Sequence, residues 1–345
     1  MPQPLPLSPA YREVVQGLLR MHRYTLDGQD ESEDADVLRE SMNEPWSRLT
    51  PAERDRVAGL SKDLYTITDS APAAPEPMNP QAQTKLGEVY EARERGEWDR
   101  ALELLRRWGK YAPPPHVAYQ RARIWQGAGD QEIAVLFFEQ ASKLDPKNEE
   151  FQAMHLSALN ETDNSRAREI AEKVLSESEK HIPNLVITAA NVLFGETASI
   201  SEHDAAPTYR RLINVVTPLL RRTKDELGLE HPSEVSMIYL LLATCYRWLG
   251  EIKEAYDYYS RALAIEPWNV PVRIARGIIV YGTSPSAITD FEQAIKSRTN
   301  IVWPYYYLAH HYMMSGRMEE CRAMCELALS KSAPERIQSE LFEFL

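Results

Sequence analysis

One spacing recurs along this chain and leaves it few folds to adopt. From Tyr246 the sequence runs through Gly250, Ala255, Tyr259, Ala262 and Pro267, in steps of 4, 5, 4, 3 and 5 residues. The same steps join Trp125, Gly129, Ala134, Phe138, Ala141 and Pro146, and again Ala92, Gly96, Ala101, Leu105, Trp108 and Pro113. Two further copies follow: Ile278, Gly282, Ala287, Phe291, Ala294 and Thr299, then Tyr312, Gly316, Cys321, Cys325, Ala328 and Ala333. Glycine-to-glycine separations are 33 from Gly96 to Gly129, 32 from Gly250 to Gly282 and 34 from Gly282 to Gly316. Each copy reads as two antiparallel helices joined by a tight turn. The glycine takes a left-handed backbone and ends the first helix. The alanine and the large residue four places on share one face of the second helix. Small residues let the two helices approach, and the proline stops the second. One such pair cannot bury its own apolar face, so the pairs must stack. The expectation is an all-α chain, a solenoid of stacked helix pairs with an N-terminal helical module.

The rest of the chain falls around that array. Residues 1–69 form the N-terminal module, with apolar positions at helical spacing (Tyr11, Val14, Val15, Leu18, Leu19, then Val57, Leu60, Leu64, Tyr65). Thr50, Pro51 and Glu53 form a helix start, with Thr50 as cap and Glu53 reaching back. Residues 27–36 carry six acids and no base, and the plain expectation is a solvated loop. Residues 70–80 are proline-rich, an extended and semi-rigid linker. They predict a module that is separate or loosely docked. The array spans 81–333 in six to seven helix pairs, with a degenerate copy at 149–179 where Thr162 replaces the turn glycine. Residues 184–231 break the register. Helices are expected over 184–194 and 208–227, joined by a longer polar loop and followed by Gly228 and Pro232, which makes an expanded pair. Residues 334–345 read as a capping helix with apolar Ile337, Leu341 and Phe342, or as a self-association patch.

Composition narrows the function classes. The formal net charge is −12, so the long-range field opposes phosphate backbones and no nucleic-acid partner is expected. Three cysteines make no disulfide framework and fit a reducing compartment. The first residues lack the basic and apolar regions of a signal peptide, and no apolar run approaches the roughly 20 residues of a membrane span. A cytoplasmic protein without membrane contact is expected. There is no Gly-x-Ser-x-Gly, no phosphate loop, no His-Glu-x-x-His and no dinucleotide fingerprint, so the reading is of a non-enzyme with no cofactor and no metal. Cys321 and Cys325 sit in packing slots of the repeat, where they should be buried as small apolar residues. His310 and His311 are adjacent and cannot share a helix face.

These spacings resemble the tetratricopeptide repeat family, whose consensus is W-x2-L-G-x2-Y, then a small residue, an aromatic and a proline, at a period of 34. The resemblance covers about residues 82–333. The first position of the first helix is Tyr239 or Tyr305 rather than Trp, and the small residue is Ala122, Ala243, Ala275 or Ala309 rather than Gly. The resemblance implies a right-handed superhelical solenoid, and a scaffold or adaptor that holds a partner peptide or helix along the inner side of each first helix. Carried across, those positions are Leu86, Tyr90 and Arg93; Tyr119, Arg123 and Gln126; Arg247 and Trp248; Asn269, Val272 and Arg276; and Trp303, Tyr306, His310 and Met313. Arginine recurring beside aromatics suits a partner segment of acidic and aromatic character. The competing reading is that these arginines pair with neighbouring acids and the rings pack between repeats. Family members that clamp a C-terminal carboxylate use Lys and Asn on successive first helices. Here those positions hold Tyr90, Arg123 and Gln126, so that clamp is not reproduced. A stretch at 42–65 resembles a segment of uncharacterised bacterial proteins and implies no activity. The alternative function is a regulatory subunit or an unrecognised enzyme, with a pocket between 184–231 and the N-terminal module and with His203 or His231 in it.

Overall fold

The computed structural model describes residues 7–68, 74–222, 232–331 and 334–344, and those residues form helices and turns without a strand. Residues 70–73 of the linker, Gly228, His231 and Ala333 lie outside them. The chain divides into two compact units, Met1–Ile170 and Ala171–Leu345.

The first unit opens with α1 (Pro9–Leu26), α2 (Glu33–Ser41), α3 (Asn43–Ser47) and α4 (Pro51–Thr68). Ser8 caps α1, accepting from Tyr11 N. The expected box at the start of α4 is formed. Thr50 N and its hydroxyl both donate to Glu53 Oε2 at 2.9 Å, and Glu53 N donates back to Thr50 Oγ1. Glu53 does more than close its own helix, because its other oxygen accepts from Ser8 N at 3.3 Å. Hydrogen bonds from Ser8 and Thr50 hold its carboxyl down at about 2. The starts of α1 and α4 are thereby pinned together, and the two helices run parallel. The acidic run at 27–36 is only half a loop. Ser32 caps α2, and Glu33, Asp34 and Asp36 occupy its first turn, where the positive helix end favours carboxylates.

Three pairs follow: α5 (Pro80–Glu94) with α6 (Trp98–Trp108), α7 (Pro114–Ala128) with α8 (Gln131–Leu144), and α9 (Glu149–Leu159) with α10 (Asn164–Ser176), whose last turns belong to the second unit. The turn is built as the spacing requires. Gly129 sits at φ 94°, and the N–H of the next residue, Asp130, donates back to Trp125 O at 3.0 Å. The same back-bond joins Glu97 to Ala92 across Gly96. Ala101, Ala134, Phe138 and Ala141 are fully buried, and Leu105 nearly so.

The module is firmly docked rather than separate. Asp63 of α4, 1% exposed, accepts from Arg106 of α6 through Nε and Nη2 (3.1 and 2.8 Å) and is ion-paired with Arg121 of α7 at 3.2 Å. Arg121 also donates to Thr66 Oγ1, and Gln140 of α8 donates to Thr66 O. Arg56 forms a two-pronged bond with Asp99 at 2.8 and 2.9 Å and lies over the buried Tyr11 ring. A side chain at Gly59 would collide with the Arg106 guanidinium, so the small residue sets the approach. Even the linker is held, with Glu76 N donating to Lys110 O and its carboxylate paired with Lys110. The proline-rich composition signalled an extended segment. It carried no information about the buried charges on either side.

The second unit contains α11 (Pro183–Glu196), α12 (Glu202–Val216), α13 (Leu219–Arg222), α14 (Pro232–Trp248), α15 (Ile252–Ile265), α16 (Val270–Val280), α17 (Ser286–Lys296), α18 (Trp303–Met314), α19 (Met318–Leu329) and α20 (Glu335–Phe344). The back-bond recurs from Glu251 to Tyr246 and from Arg317 to Tyr312. In the expanded section α12 begins at Glu202, capped by Ser201, and ends at Val216 instead of running on to 227. Pro218 explains the stop, since it has no N–H to continue the ladder. In α16, Gly277 is a point of close approach, where an added Cβ would meet the Phe291 ring at 2.7 Å.

Two stability measurements follow. Asp63→Ala strands two guanidiniums in the docked interface and should cost about 3 kcal/mol in urea unfolding followed by circular dichroism at 222 nm; a loss under about 0.5 kcal/mol would show that the contact is not buried. Asp130, which accepts from Tyr11 OH at 3.5 Å, is pushed up to about 6, chiefly by burial. The folded state therefore holds this proton more tightly than the unfolded one, and stability falls as pH rises from about 4 to 6. Asp130→Asn should raise stability at pH 7 by on the order of 1–2 kcal/mol and have no such effect below pH 4.

Candidate functional site

The first helices α14, α16 and α18 bring together the richest set of polar and aromatic side chains in the second unit. Their common register comes from the turn, which ends α14 and α18 at the same slot of the repeat. Arg247 and Trp248 stand in the last turn of α14, the guanidinium 5.6 Å from the indole centroid. Arg247 forms no ion pair among the described residues, and Trp248 is 42% exposed. On α18, Trp303 and Tyr306 meet edge to face at 6.2 Å, and Trp303 lies 6.3 Å from Tyr307. Tyr307 stacks on Phe291 at 5.2 Å and packs against Tyr281 at 4.8 Å. Burial raises the phenol of Tyr307, and the Arg247 charge opposes that rise, which places the cation beside this cluster. Tyr281 OH and His310 Nδ1 share a hydrogen bond of 2.7 Å.

Other expected contact residues are already engaged. Arg276 grips Asp290 of α17 through Nε and Nη2 at 2.9 and 2.8 Å, donates to Ser260 and lies over Tyr256. Arg273 shares the same carboxylate at 3.5 Å. Asn269 caps α16, accepting from Val272 N and donating to Glu266. Val272 is fully buried. Tyr306 donates to Glu340 of α20, and Phe344 packs against both Tyr306 and His310 at 6.0 and 5.8 Å. Burial and that hydrogen bond push the Tyr306 phenol up to about 12. The capping helix thus covers the last first-helix, with Ile337 and Leu341 buried and Phe342 exposed. Met313 is half-buried in the same cluster.

In the first unit, Arg93 lies over the exposed Tyr90 ring, pairs with Glu94 and donates to Gln120, which in turn donates to Tyr90 OH. Tyr119 is packing, wedged between Phe138 and Phe151. Leu86, Arg123 and Gln126 are half-buried on the first helices, and Arg123 forms no ion pair among the described residues. Cys321 and Cys325 are wholly buried in an apolar cluster, and burial with the neighbouring thiol raises Cys325 to about 12. His311 is half-buried beside Tyr312. His203 is exposed on α12. Tyr281, Tyr307 and Gln120 were not expected as site residues. Tyr307 could have been found one helical turn after Trp303; Tyr281 ends its helix early, and nothing in the repeat marks it.

Two segments match models of the tetratricopeptide repeat, residues 84–115 and 238–267, which are the α5–α6 and α14–α15 pairs. A tetratricopeptide repeat protein from Parabacteroides merdae ATCC 43184 is similar in fold, with a TM-score of 0.51 at 13% identity over 77% of this chain and 99% of that one. MamA (41-end) from Desulfovibrio magneticus RS-1 aligns at 14% identity over 64% and 97% of the two chains, with a TM-score of 0.31. The TPR2AB domain of yeast Sti1, in its complex with pHSP90, aligns at 16% identity over 76% and 95%, with a TM-score of 0.28. Comparison with curated proteins returns no match. At these identities the likeness speaks to the fold alone.

The engaged arginine gives a direct test. Arg276→Ala leaves Asp290, 1% exposed, with only the longer contact to Arg273, and should cost about 3 kcal/mol of stability by urea unfolding. Arg247→Ala should cost under about 0.5 kcal/mol in the same assay; equal losses would mean that Arg247 is structural too.

Proposed function

We propose, from the premise that this is a tetratricopeptide-repeat protein, that it acts as a non-catalytic adaptor holding a partner peptide along α14, α16 and α18. Repeats of this kind serve generally as protein-interaction scaffolds, which supports the class of function. The observation that carries the finer reading is Arg247. Among the described residues its donors form no hydrogen bond or ion pair, and it lies beside an exposed indole, while Arg273 and Arg276 on the next first helix are consumed by Asp290. A guanidinium bound to a carboxylate contributes about 1.5–3 kcal/mol, and a ring beside it adds contact area at small entropic cost.

The partner segment that fits is short, extended, and carries a carboxylate next to an apolar or aromatic side chain. Tyr306 and His310 are spoken for by α20, so the open stretch runs from Arg247 and Trp248 to Tyr307 and Trp303. On the first unit, Tyr90 and Arg123 offer a smaller platform of the same chemistry. No helix among the described residues is long and apolar enough to cross a membrane.

Selection of a displayed random peptide library on the purified chain should enrich sequences with an acid flanked by apolar residues. Arg247→Glu and Trp248→Ala should each weaken binding of the selected peptide about tenfold, with helicity unchanged by circular dichroism. Undiminished binding by both variants would refute this placement of the site.

A further inference from the structure

The N-terminal module holds a cleft that the peptide-binding reading does not use. It lies between α1 and α4, is closed at one side by α2, and has a volume of about 180 Å³. Leu18 and Met21 of α1 and Leu64 of α4 line its apolar wall, and Ser61, Asp30, Arg39 and Tyr65 lie around it. His22 is its distinctive feature. The residue is 6% exposed, and its Nε2 is buried without a hydrogen-bond partner. A buried polar atom left unmatched costs on the order of 1–3 kcal/mol, so this nitrogen is a standing demand for a partner.

The electrostatics select the sign of that partner. Because Glu53 pins the starts of α1 and α4 together, both helices bring their C-terminal, negative ends to the cleft. Arg39 is the cation in the lining, and it is occupied, bonded to Asp36 and to Asp30 O. The charged lining residues are Asp30 and Arg39; Arg39 is paired with Asp36, and the Asp30 carboxylate forms no ion pair among the described residues. A carboxylate or phosphate would meet that charge and two helix ends, and is disfavoured. Burial lowers the pKa of His22, so at neutral pH its ring is uncharged and one nitrogen can accept. The Ser61 hydroxyl forms no hydrogen bond among the described residues and can accept as well. The acidic surface of the whole chain raises the local concentration of cations.

We propose that this cleft binds a primary alkylammonium group, accepted by His22 Nε2, Ser61 Oγ and the Asp30 carboxylate, with its alkyl chain against Leu18, Met21 and Leu64. The volume equals roughly six water molecules, which suits a chain of four or five carbons. Two sources carry this group, a free small amine and the lysine side chain of a partner protein.

The test uses the full chain with 15N-labelled histidine and titrates n-butylammonium chloride, N-acetyl-lysine methylamide and sodium butyrate. The His22 imidazole signals should shift saturably with both amines and stay fixed with butyrate. Tighter binding of the capped lysine assigns a protein partner, and tighter binding of butylammonium assigns a free amine. Asp30→Asn should weaken binding about tenfold, the loss expected of one charge-assisted hydrogen bond. Ser61→Ala should weaken it several-fold, and His22→Phe should abolish it. If His22→Phe fails to fold, the other two variants decide. An unresponsive His22, equal binding of butyrate, or undiminished binding by Asp30→Asn overturns the proposal; a water satisfying Nε2 would give the first of these.

Discussion

The hydrogen bond that reaches back five residues across Gly96, Gly129, Gly250 and Gly316 governs most of what this chain does. It closes the first helix of a pair at one fixed slot, occupied by Ala92, Trp125, Tyr246 and Tyr312. The second helix then starts at a fixed angle with its alanine already facing the first. With that angle set, Ala134 and Ala255 can be fully buried, and the rings of Phe138 and Tyr259 fill the groove that the small residues leave. The same closure decides which residues of the first helix face away from the pair. Arg247 and Trp248 are side by side at the end of α14 because the chain must turn two residues later.

Buried carboxylates form a second layer of specification, and they do so twice by the same means. Asp63 holds Arg106 and Arg121 where the module meets the array, and Asp290 holds Arg273 and Arg276 between α16 and α17. Each acid is almost wholly buried and shared by two guanidiniums. Such a triad contributes little net stability over an apolar replacement, but breaking one member is expensive. Its effect is to forbid other placements of the helices that carry it. A chain with 51 acids and 39 bases has carboxylates to spare for this use.

How much was legible in the sequence follows from the range of each interaction. Turn glycines, small slots, the Thr50–Glu53 box and the burial of Cys321 and Cys325 all depend on spacing within one pair, and spacing is written in the chain. Asn269 was legible as well. An Asn two residues before a proline at a helix start signals a cap, and its place in the repeat register drew it into the site instead. Arg276 and Arg247 could not be told apart, because what separates them is Asp290 on the neighbouring helix. Docking of the module was hidden for the same reason. Asp63 and Arg106 are 43 residues apart, and the proline-rich segment between them describes the path of the chain without describing where its ends are held.

The terminal pair shows how a packing slot can reassign work to another part of the chain. Where other pairs have Phe138, Tyr259 or Phe291, this pair has Cys325, which is far smaller, and Cys321 fills the alanine slot. A groove sized for an aromatic ring would be left partly empty, and a cavity of that kind costs stability in proportion to its volume. Ile337 and Leu341 of α20 enter the same cluster, together with Tyr305 and Val302 from the preceding helix and turn. The capping helix is therefore core as well as cover. Its seating also brings Glu340 to Tyr306 and Phe344 to His310, which takes those two residues out of the open surface. The small thiols at the end of the array thus admit α20, and its seating covers Tyr306 and His310 while Trp248 stays exposed.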